Sequence, residues 1–471
     1  MNMKRITLLS FLFSLLISLT GCGLYKNYER PEGITVEGIY GSAQSGDSLG
    51  LGDLGWREVF TDPLLQEIIE RGLAQNANMR QADLRIQEAQ NNLRAAKLAF
   101  FPSLSIAPQG SISGVWDPSN REEYKGVMGN GATKTYAIPV VANWQADCFG
   151  QLRNAKKGSE VAVENMQTVR QAVQTSIIAN IANLYYTLCM LDEQLRIAEE
   201  TSENWNQNLE VTKLLMQAGQ SNKAAVSSTE ANYWSIMGSI VEIRDQILLT
   251  ENALANLIGE TPHSFRRKTL DSFEMPEFCV TGVPISILSR RPDVRQAELA
   301  MASAFYSKNQ VRASFYPALN ISASGQYTNS LGSMVINPGG IIAAVVGTLT
   351  QPLFAQGKLR AAYKNALAEQ EIAKIGFQQK VLDAGYEVCS AMARIQVYSN
   401  EQEFIDKQVV SMQDAVEATQ ALMKYSNQVN YLNVLSAQSG LLQSQLSQVT
   451  NKFNIIAGVI ALYQALGGGT E

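Results

Sequence analysis

The chain repeats itself. Moving it by 215 positions lays Arg80-Gln81-Ala82-Asp83-Leu84 on Arg295-Gln296-Ala297-Glu298-Leu299, and Phe100, Pro102, Leu104, Ile106 and Gly110 on Phe315, Pro317, Leu319, Ile321 and Gly325. Ten of the thirty-three positions from 78 to 110 coincide. Farther on, Gly150-Gln151-Leu152-Arg153 answers Gly357-Lys358-Leu359-Arg360, and Leu257-Ile258-Gly259 answers Ala465-Leu466-Gly467. A fixed internal offset marks a tandem repeat, which constrains the fold more than any local motif. The copies run over 63–259 and 284–467, joined by a connector, 260–283, that carries Pro262, Pro276 and Gly282. A segment at 22–62 precedes them and a short tail, 468–471, follows.

Each copy reads as helix, strand pair, long helix, helix. In the second, Val388, Ala391, Ile395, Tyr398, Ile405, Val409, Met412, Val416 and Met423 alternate spacings of three and four, with Gln402 and Thr419 in the gaps. The register resumes from Leu432 through Leu435, Leu442, Leu446, Val449, Phe453, Ile456 and Ile460 to Tyr463. The first copy repeats it in Leu184, Leu188, Leu191, Leu195, Ala198, Trp205, Leu209 and Met216. This is coiled-coil periodicity. A helix from about 152 to 217 would extend on the order of 100 Å. Flanking helices at about 63–100 and 222–259 are each about half as long, so end to end they pair along it. The other faces carry Gln, Asn, Ser, Thr and Ala with little charge, as suits a water-filled lumen or a solvated exterior.

Between helices the period changes to two. Leu104, Ile106, Ile112 and Trp116 alternate with Ser103, Ser105, Ser111 and Ser113, one apolar face against one polar. The strands are placed at about 102–116 and 135–148, then at 317–331 and 341–354, each long enough for a tilted membrane strand. The glycine- and asparagine-rich segments 117–134 and 332–340 read as loops. Four strands cannot close a barrel, and an open edge in lipid leaves backbone groups unpaired at several kcal/mol each. Closure requires two, three or four chains, and periodicity does not choose among them. Pro108, Pro139 and Pro352 are expected at strand ends or bulges.

Residues 1–21 read as a signal peptide, with Lys4 and Arg5 ahead of an apolar run from Ile6 to Leu19 that is too short to span a bilayer. The run ends in Leu19-Thr20-Gly21-Cys22, the pattern of a lipobox, which makes Cys22 the mature N-terminus bearing diacylglycerol and an N-acyl chain. Gly23 permits outer-membrane sorting. Several acyl chains anchor stably where one does not. The formal charge is −5 with 17% charged residues, so no basic face for nucleic acid is implied. Cys148, Cys189, Cys279 and Cys389 lie far apart, without metal or disulfide spacing, and read as small buried residues. No apolar run of eighteen follows the signal, so any membrane crossing must use strands.

Together these residues resemble the TolC-like outer membrane factors, particularly the OprM/NodT-type efflux lipoproteins. Tyr28-Glu29-Arg30-Pro31 resembles the family's leader. Trp144, Asp147, Phe149-Gly150 and Leu152-Arg153 resemble its Trp-x-x-Asp-Leu-Phe-Gly-x-Leu-Arg motif, with Cys148 in place of leucine. Gly282-Val283-Pro284, Leu288 and Arg290-Arg291-Pro292-Asp293-Val294-Arg295-Gln296-Ala297-Glu298 match most specifically. The resemblance implies a mainly α fold with a membrane β-barrel portion: a homotrimer whose twelve-stranded barrel continues into a twelve-helix tunnel. It implies an outer-membrane location and passive conduction of drugs and other small amphiphiles. The implied partners are a periplasmic membrane-fusion adaptor and an inner-membrane resistance-nodulation-division pump. Adaptor docking falls at the hairpin tips, Gly219, Gln220 and Ser221 in the first copy and Ser426, Asn427 and Gln428 in the second. The aperture gate falls at Asn433 and Ser436, where some members carry acidic residues, so a strong acidic ring is not expected here. Met216 and Met423 occupy equivalent places and read as packing residues.

An enzyme is disfavoured. The single histidine, His263, lies in the connector, and no phosphate loop, nucleophile elbow or paired-cysteine site occurs. Neither cofactor nor metal site is expected. Arg290, Arg291 and Asp293 read as helix capping and packing between copies rather than anion binding. A structural coiled-coil lipoprotein would share the heptads and anchor without needing duplicated strand pairs. Ducts for secreted polypeptides through an ABC exporter, or for metal ions, remain alternatives within the channel reading.

Overall fold

The computed structural model describes residues 25, 27–30, 54–113, 133–273, 291–330, 340–425 and 431–469. In chain order these form α1 (Trp56–Val59), α2 (Pro63–Gln75), α3 (Ala77–Leu98), β1 (Ser103–Ile106), β2 (Gln109–Ser113), β3 (Thr133–Ala146), α4 (Gln151–Gln217) and α5 (Lys223–Ile258). There follow α6 (Pro292–Ala313), β4 (Ala318–Ser330), β5 (Gly340–Thr350), α7 (Lys358–Tyr425) and α8 (Tyr431–Ala465). The expected loops at 117–134 and 332–340 fall almost wholly outside the described residues, as do Cys22, Cys279, Arg290 and the tip residues Ser426, Asn427 and Gln428.

The chain forms two compact units. One comprises Met1–Pro31, Ile86–Asn165 and Glu298–Gly376, and contains the sheet. The other comprises Glu32–Arg85, Met166–Ala297 and Phe377–Glu471, and is helical.

The sheet is antiparallel, ordered β1 and β2 side by side along one edge of β3, then β4, then β5. The single strand expected over 102–116 is two short ones. Pro108 interrupts it, and both pieces keep one register on β3, with Ile106 opposite Val140 and Gln109 opposite Ala137. Pro139 corrects the expectation in the other direction, because it lies within β3, opposite Gln326 of β4. Its carbonyl accepts from Ala107 N at 3.2 Å, on the β1/β2 side. In a strand a residue's N and O face the same neighbour. The donor that proline lacks therefore faces the interruption in the edge strand, and the β3–β4 ladder loses nothing. Pro352 lies beyond the end of β5, as expected.

The helical unit buries many of the expected heptad positions, while others, among them Leu195, Tyr398, Ile405 and Met412, are half-buried. Val388, Ala391, Ile395, Val409 and Val416 of α7, and Leu435, Val449, Ile456, Ile460 and Tyr463 of α8, are all buried, as are Leu188, Leu191, Ala198, Trp205 and Leu209 of α4. The first helix is broken where a continuous one was expected over 63–100. Asn76 (φ −57°, ψ 130°) ends α2 and caps α3, its Oδ1 accepting from Asn78 N at 2.7 Å and Met79 N at 3.2 Å. Close approach is built in at Gly72, where a Cβ would stand 2.5 Å from Ile181 Cδ1, and at Gly458, where it would stand 2.8 Å from Ile395 Cγ1. The cysteine expectation is corrected at Cys389, which is exposed one residue past buried Val388 in the heptad phase; Cys148 is half-buried and Cys189 is buried.

Candidate functional site

Alternation along the strands sorts the sheet into two unlike faces. Register places Leu104 and Ile106 with Ile138, Val140, Ala142, Trp144 and Ala146, then with Leu319, Ile321, Ala323, Gly325 and Tyr327, then with Val345, Gly347 and Leu349. Among these residues the only polar groups are the Trp144 indole and the Tyr327 phenol. The Trp144 indole nitrogen donates to Phe100 O at 2.9 Å. The opposite face carries Ser103, Ser105, Asn143, Gln145, Asn320, Ser322, Ser324, Gln326 and Thr348, and Ser322 Oγ donates to Asn143 Oδ1 at 2.8 Å. Leu104, Val345 and Leu349 are 71%, 76% and 67% exposed. An apolar face left outside a core is the pattern of a strand layer solvated by lipid on one side and by water on the other. No helix among the described residues is long and apolar enough to cross a membrane.

Strands hand over to helices at a reinforced turn. Asp147 accepts through Oδ1 from Leu152 N at 2.9 Å and through Oδ2 from Arg153 N at 3.0 Å, capping α4, and it pairs with the Arg153 guanidinium at 3.1 Å. Phe149 stacks on Tyr316 at 5.0 Å between centroids. Gly150 adopts φ +76° and its counterpart Gly357 φ +79°, which explains why both copies keep glycine there.

At the other end of α4, Gly219 (φ +75°) closes the helix. Gln220 N donates to Leu215 O at 2.9 Å and Gly219 N to Met216 O at 3.1 Å. Asn222 then caps α5, its Oδ1 accepting from Ala225 N at 2.9 Å. The turn is tight and solvent-facing, with Gly219 and Gln220 exposed and Ser221 half-buried; Met216 and Met423 are half-buried. On α8, Asn433 and Ser436 are both exposed, one turn apart on a common face, while Val434 and Leu435 between them are buried. A wall facing water can hold the pair without disturbing the packed seam.

Arg291 is a packing residue, but within the second copy rather than between copies. Its guanidinium is buried and bonds Asp293 at 2.8 Å, Glu387 at 2.5 Å and Ala465 O at 2.7 Å, binding the start of α6 to α7 and to the end of α8. Sequence reasoning missed a second buried network, in which Arg267 pairs with Asp192 and with Glu251 at 2.6 Å, and Tyr185 donates to Asp62 at 2.5 Å. Its members lie too far apart in sequence for any motif to join them. Burial, aided by the nearby Asp192 charge, pushes the Cys189 thiol up to about 12, which leaves it unreactive. His263 is exposed, with Nδ1 at 2.9 Å from Thr261 O. No cluster able to hold a metal occurs among the described residues.

A sheet apolar on one side, continued in sequence by helices of 67 and 68 residues that fold back as hairpins, defines a class: outer-membrane channels with a helical extension. The chain belongs to the Outer membrane efflux protein family, whose pattern matches residues 68–260 and 283–468. The "Cation efflux system protein CusC" of Escherichia coli is 26% identical over 97% of this chain and 98% of its own length. The "Toluene efflux pump outer membrane protein TtgC" of Pseudomonas putida is 26% identical over 96% of this chain and 93% of its own. A crystal structure of CusC has a TM-score of 0.83 at 25% identity, covering 95% of this chain and 100% of that one. The protein is an efflux channel of the outer membrane that extends into the periplasm, with the TolC-like fold.

Proposed function

We propose that the chain works as a homotrimeric exit duct for small molecules, anchored through acylated Cys22, and coupled by a periplasmic adaptor to a resistance-nodulation-division pump. One observation carries this reading. The sheet exposes a continuous apolar face yet has outer edges, β1/β2 and β5, unpaired among the described residues. In lipid each free edge must find a strand, and three copies joined head to tail supply twelve. Water then fills the interior against the Ser, Asn and Gln face. Gly219, Gln220 and Ser221, with Ser426, Asn427 and Gln428, are the docking tips. Asn433 and Ser436 line the aperture, and their neutrality makes the gate weakly selective for charge.

The test is photo-crosslinking in cells from Gln220 and Ser426. Capture of an adaptor that serves a resistance-nodulation-division pump supports the reading. Capture of an ABC exporter's adaptor moves it to polypeptide export, and capture of nothing periplasmic by the assembled protein overturns the tip assignment. The cargo is a separate question, because relatives named for cations and for toluene are equally identical to this chain. Loss of tolerance to amphiphilic drugs or solvents on deletion supports small-molecule export. Loss of tolerance to metal cations alone would replace it with cation export.

A further inference from the structure

The described part of the leader lies along α6 at three points spaced seven residues apart. Arg30 donates from Nε and a terminal nitrogen to both oxygens of Glu298, at 2.8 and 2.7 Å. The Tyr28 ring meets Phe305 edge-on at 5.8 Å. Tyr25 lies under the Arg312 guanidinium, 5.8 Å from the ring centre. Asn27 accepts from Lys157 Nζ at 2.5 Å, adding a contact to α4. The fourteen residues from Glu298 to Arg312 rise about 21 Å, whereas the five from Tyr25 to Arg30 span at most about 18 Å, so the leader must run close to full extension, with the long Arg30 and Arg312 side chains making up the difference. The run ends at Gly150, where a Cβ would stand 3.2 Å from the Tyr25 ring.

Among the described residues the other copy lacks this arrangement. At the offset of 215, Glu298, Phe305 and Arg312 answer to Asp83, Gln90 and Lys97 of α3. Asp83 is engaged by Arg170 at 2.7 Å, and a Cβ at Gly357 would meet nothing within 4 Å. The stripe on α6 is therefore a dedicated seat rather than a by-product of the repeat.

We propose that Tyr25, Asn27, Tyr28 and Arg30 form a strap whose seat on α6 and α4 holds the acylated N-terminus at the turn where strands give way to helices. The inference rests on Cys22 being the acylated residue. Three peptide units separate Cys22 from Tyr25, at most about 10 Å, so the seat fixes the level of the lipid relative to the sheet. Arg30 and Glu298 are positioning residues for the anchor.

Trypsin reads the seat directly. Cleavage after Lys26 frees a peptide from Cys22 to Lys26, while the Arg30-Pro31 bond resists cleavage. In the full-length protein, purified in detergent from outer membranes, this release should be slow. Glu298→Arg leaves the cleavage sequence untouched and should speed release about tenfold or more, as loss of a bidentate charge-assisted pair implies. Arg30→Glu should do the same, and the double exchange Arg30→Glu with Glu298→Arg should restore slow release. Unchanged far-UV circular dichroism and the assembled band on gels control for folding. Equal release from wild type and single variants, or no recovery in the double exchange, overturns the strap. The mass of the freed peptide reports the anchor independently. An unacylated peptide sinks the Cys22 reading, while slow release that depends on Glu298 would still identify the seat.

Discussion

Where the opening helix of each copy meets its closing helix, the two copies do one job with different chemistry. In the first, Asn76 caps α3 and donates from Nδ2 to Leu257 O at 2.6 Å, so one neutral amide joins helix start to helix end. In the second, Asp293 bonds Val294 N at 2.9 Å and Arg291 reaches Ala465 O, with Glu387 and, at 3.6 Å, Lys380 completing a charged cluster. The positions correspond under the offsets that define the repeat. A joint made from one amide is satisfied almost by itself, whereas one made from a buried arginine depends on every partner it has. Gly467 reinforces that dependence, since a Cβ there would meet Arg291 Cα at 3.2 Å.

Removing each centre should separate the joints most clearly. Arg291→Met leaves Asp293, Glu387 and a buried carbonyl short of a partner and should destabilise by about 3–5 kcal/mol. Asn76→Ala loses a cap and one hydrogen bond, about 1–2 kcal/mol. Calorimetric Tm values of the detergent-solubilised protein measure both, and equal losses would mean the charges add nothing beyond the amide.

Acid should expose the same contrast. Burial acts to raise the Asp293 carboxyl, but Arg291 outweighs it and holds the group below the ordinary carboxylate range. A depressed folded value stabilises fully above the unfolded value of about 3.9 and is lost as pH falls through the folded one. Wild type should therefore lose Tm on acidification below about pH 4, and Asp293→Asn should lose less over that window. Identical slopes would remove Asp293 from the acid response.

The hairpin seams differ in the same sense. In the first, Ala198, Trp205, Ile236 and Ile240 pack with Leu195 and Ile243. Offsets of 207 and 208 turn Leu195, Ile240 and Ile243 into Gln402, Gln448 and Asn451. There Asn451 Nδ2 donates to Gln402 Oε1 at 2.8 Å and to Tyr398 O at 2.9 Å, and both glutamines donate to Asp406, at 2.7 and 2.6 Å. Leu195→Gln puts an amide where no ladder receives it and should destabilise by about 1–3 kcal/mol. The reverse change, Gln402→Leu, Gln448→Ile and Asn451→Ile with Asp406→Ala, replaces a whole network by apolar groups and should fall within about 1 kcal/mol of wild type. Amide exchange should also run faster along α7–α8 than along α4–α5; protection equal in both hairpins would deny the polar seam any weakening effect.

These contrasts mark what the sequence disclosed and what it hid. Heptads and alternating strands were legible because each depends on a period, and burial of Val388, Trp205 and Tyr463 follows that period. The break at Asn76 was hidden, although Asn76-Ala77-Asn78 is a capping signal, because apolar spacing runs through it unchanged. Pro139 misled because the direction of a strand's missing donor depends on its partner, which no single strand states. Among the proposed site residues, the Gly219 turn could be placed from glycine alone, whereas the partners of Arg291, 96 and 174 positions away within its own copy, could not. The Arg267 and Glu298 partnerships span 75 and 268 positions, distances that periodicity cannot bridge.

The smallest contrast tests the repeat at a single pair of glycines. Gly150 and Gly357 share a left-handed backbone, so alanine at either position costs about 1–2 kcal/mol in strain. Only Gly150 also has a ring against it, and whether that ring can yield decides the excess. Gly150→Ala should therefore lower Tm slightly more than Gly357→Ala, by the equivalent of less than about 1 kcal/mol. Tyr25→Ala should erase the excess in a double-mutant cycle, because the clash needs both partners. If the two glycines respond alike with Tyr25 present, the ring gives way freely and the left-handed turn alone explains why both copies keep glycine. If the excess survives removal of Tyr25, it arises instead from Asn154, whose Nδ2 would lie 3.4 Å from the new Cβ.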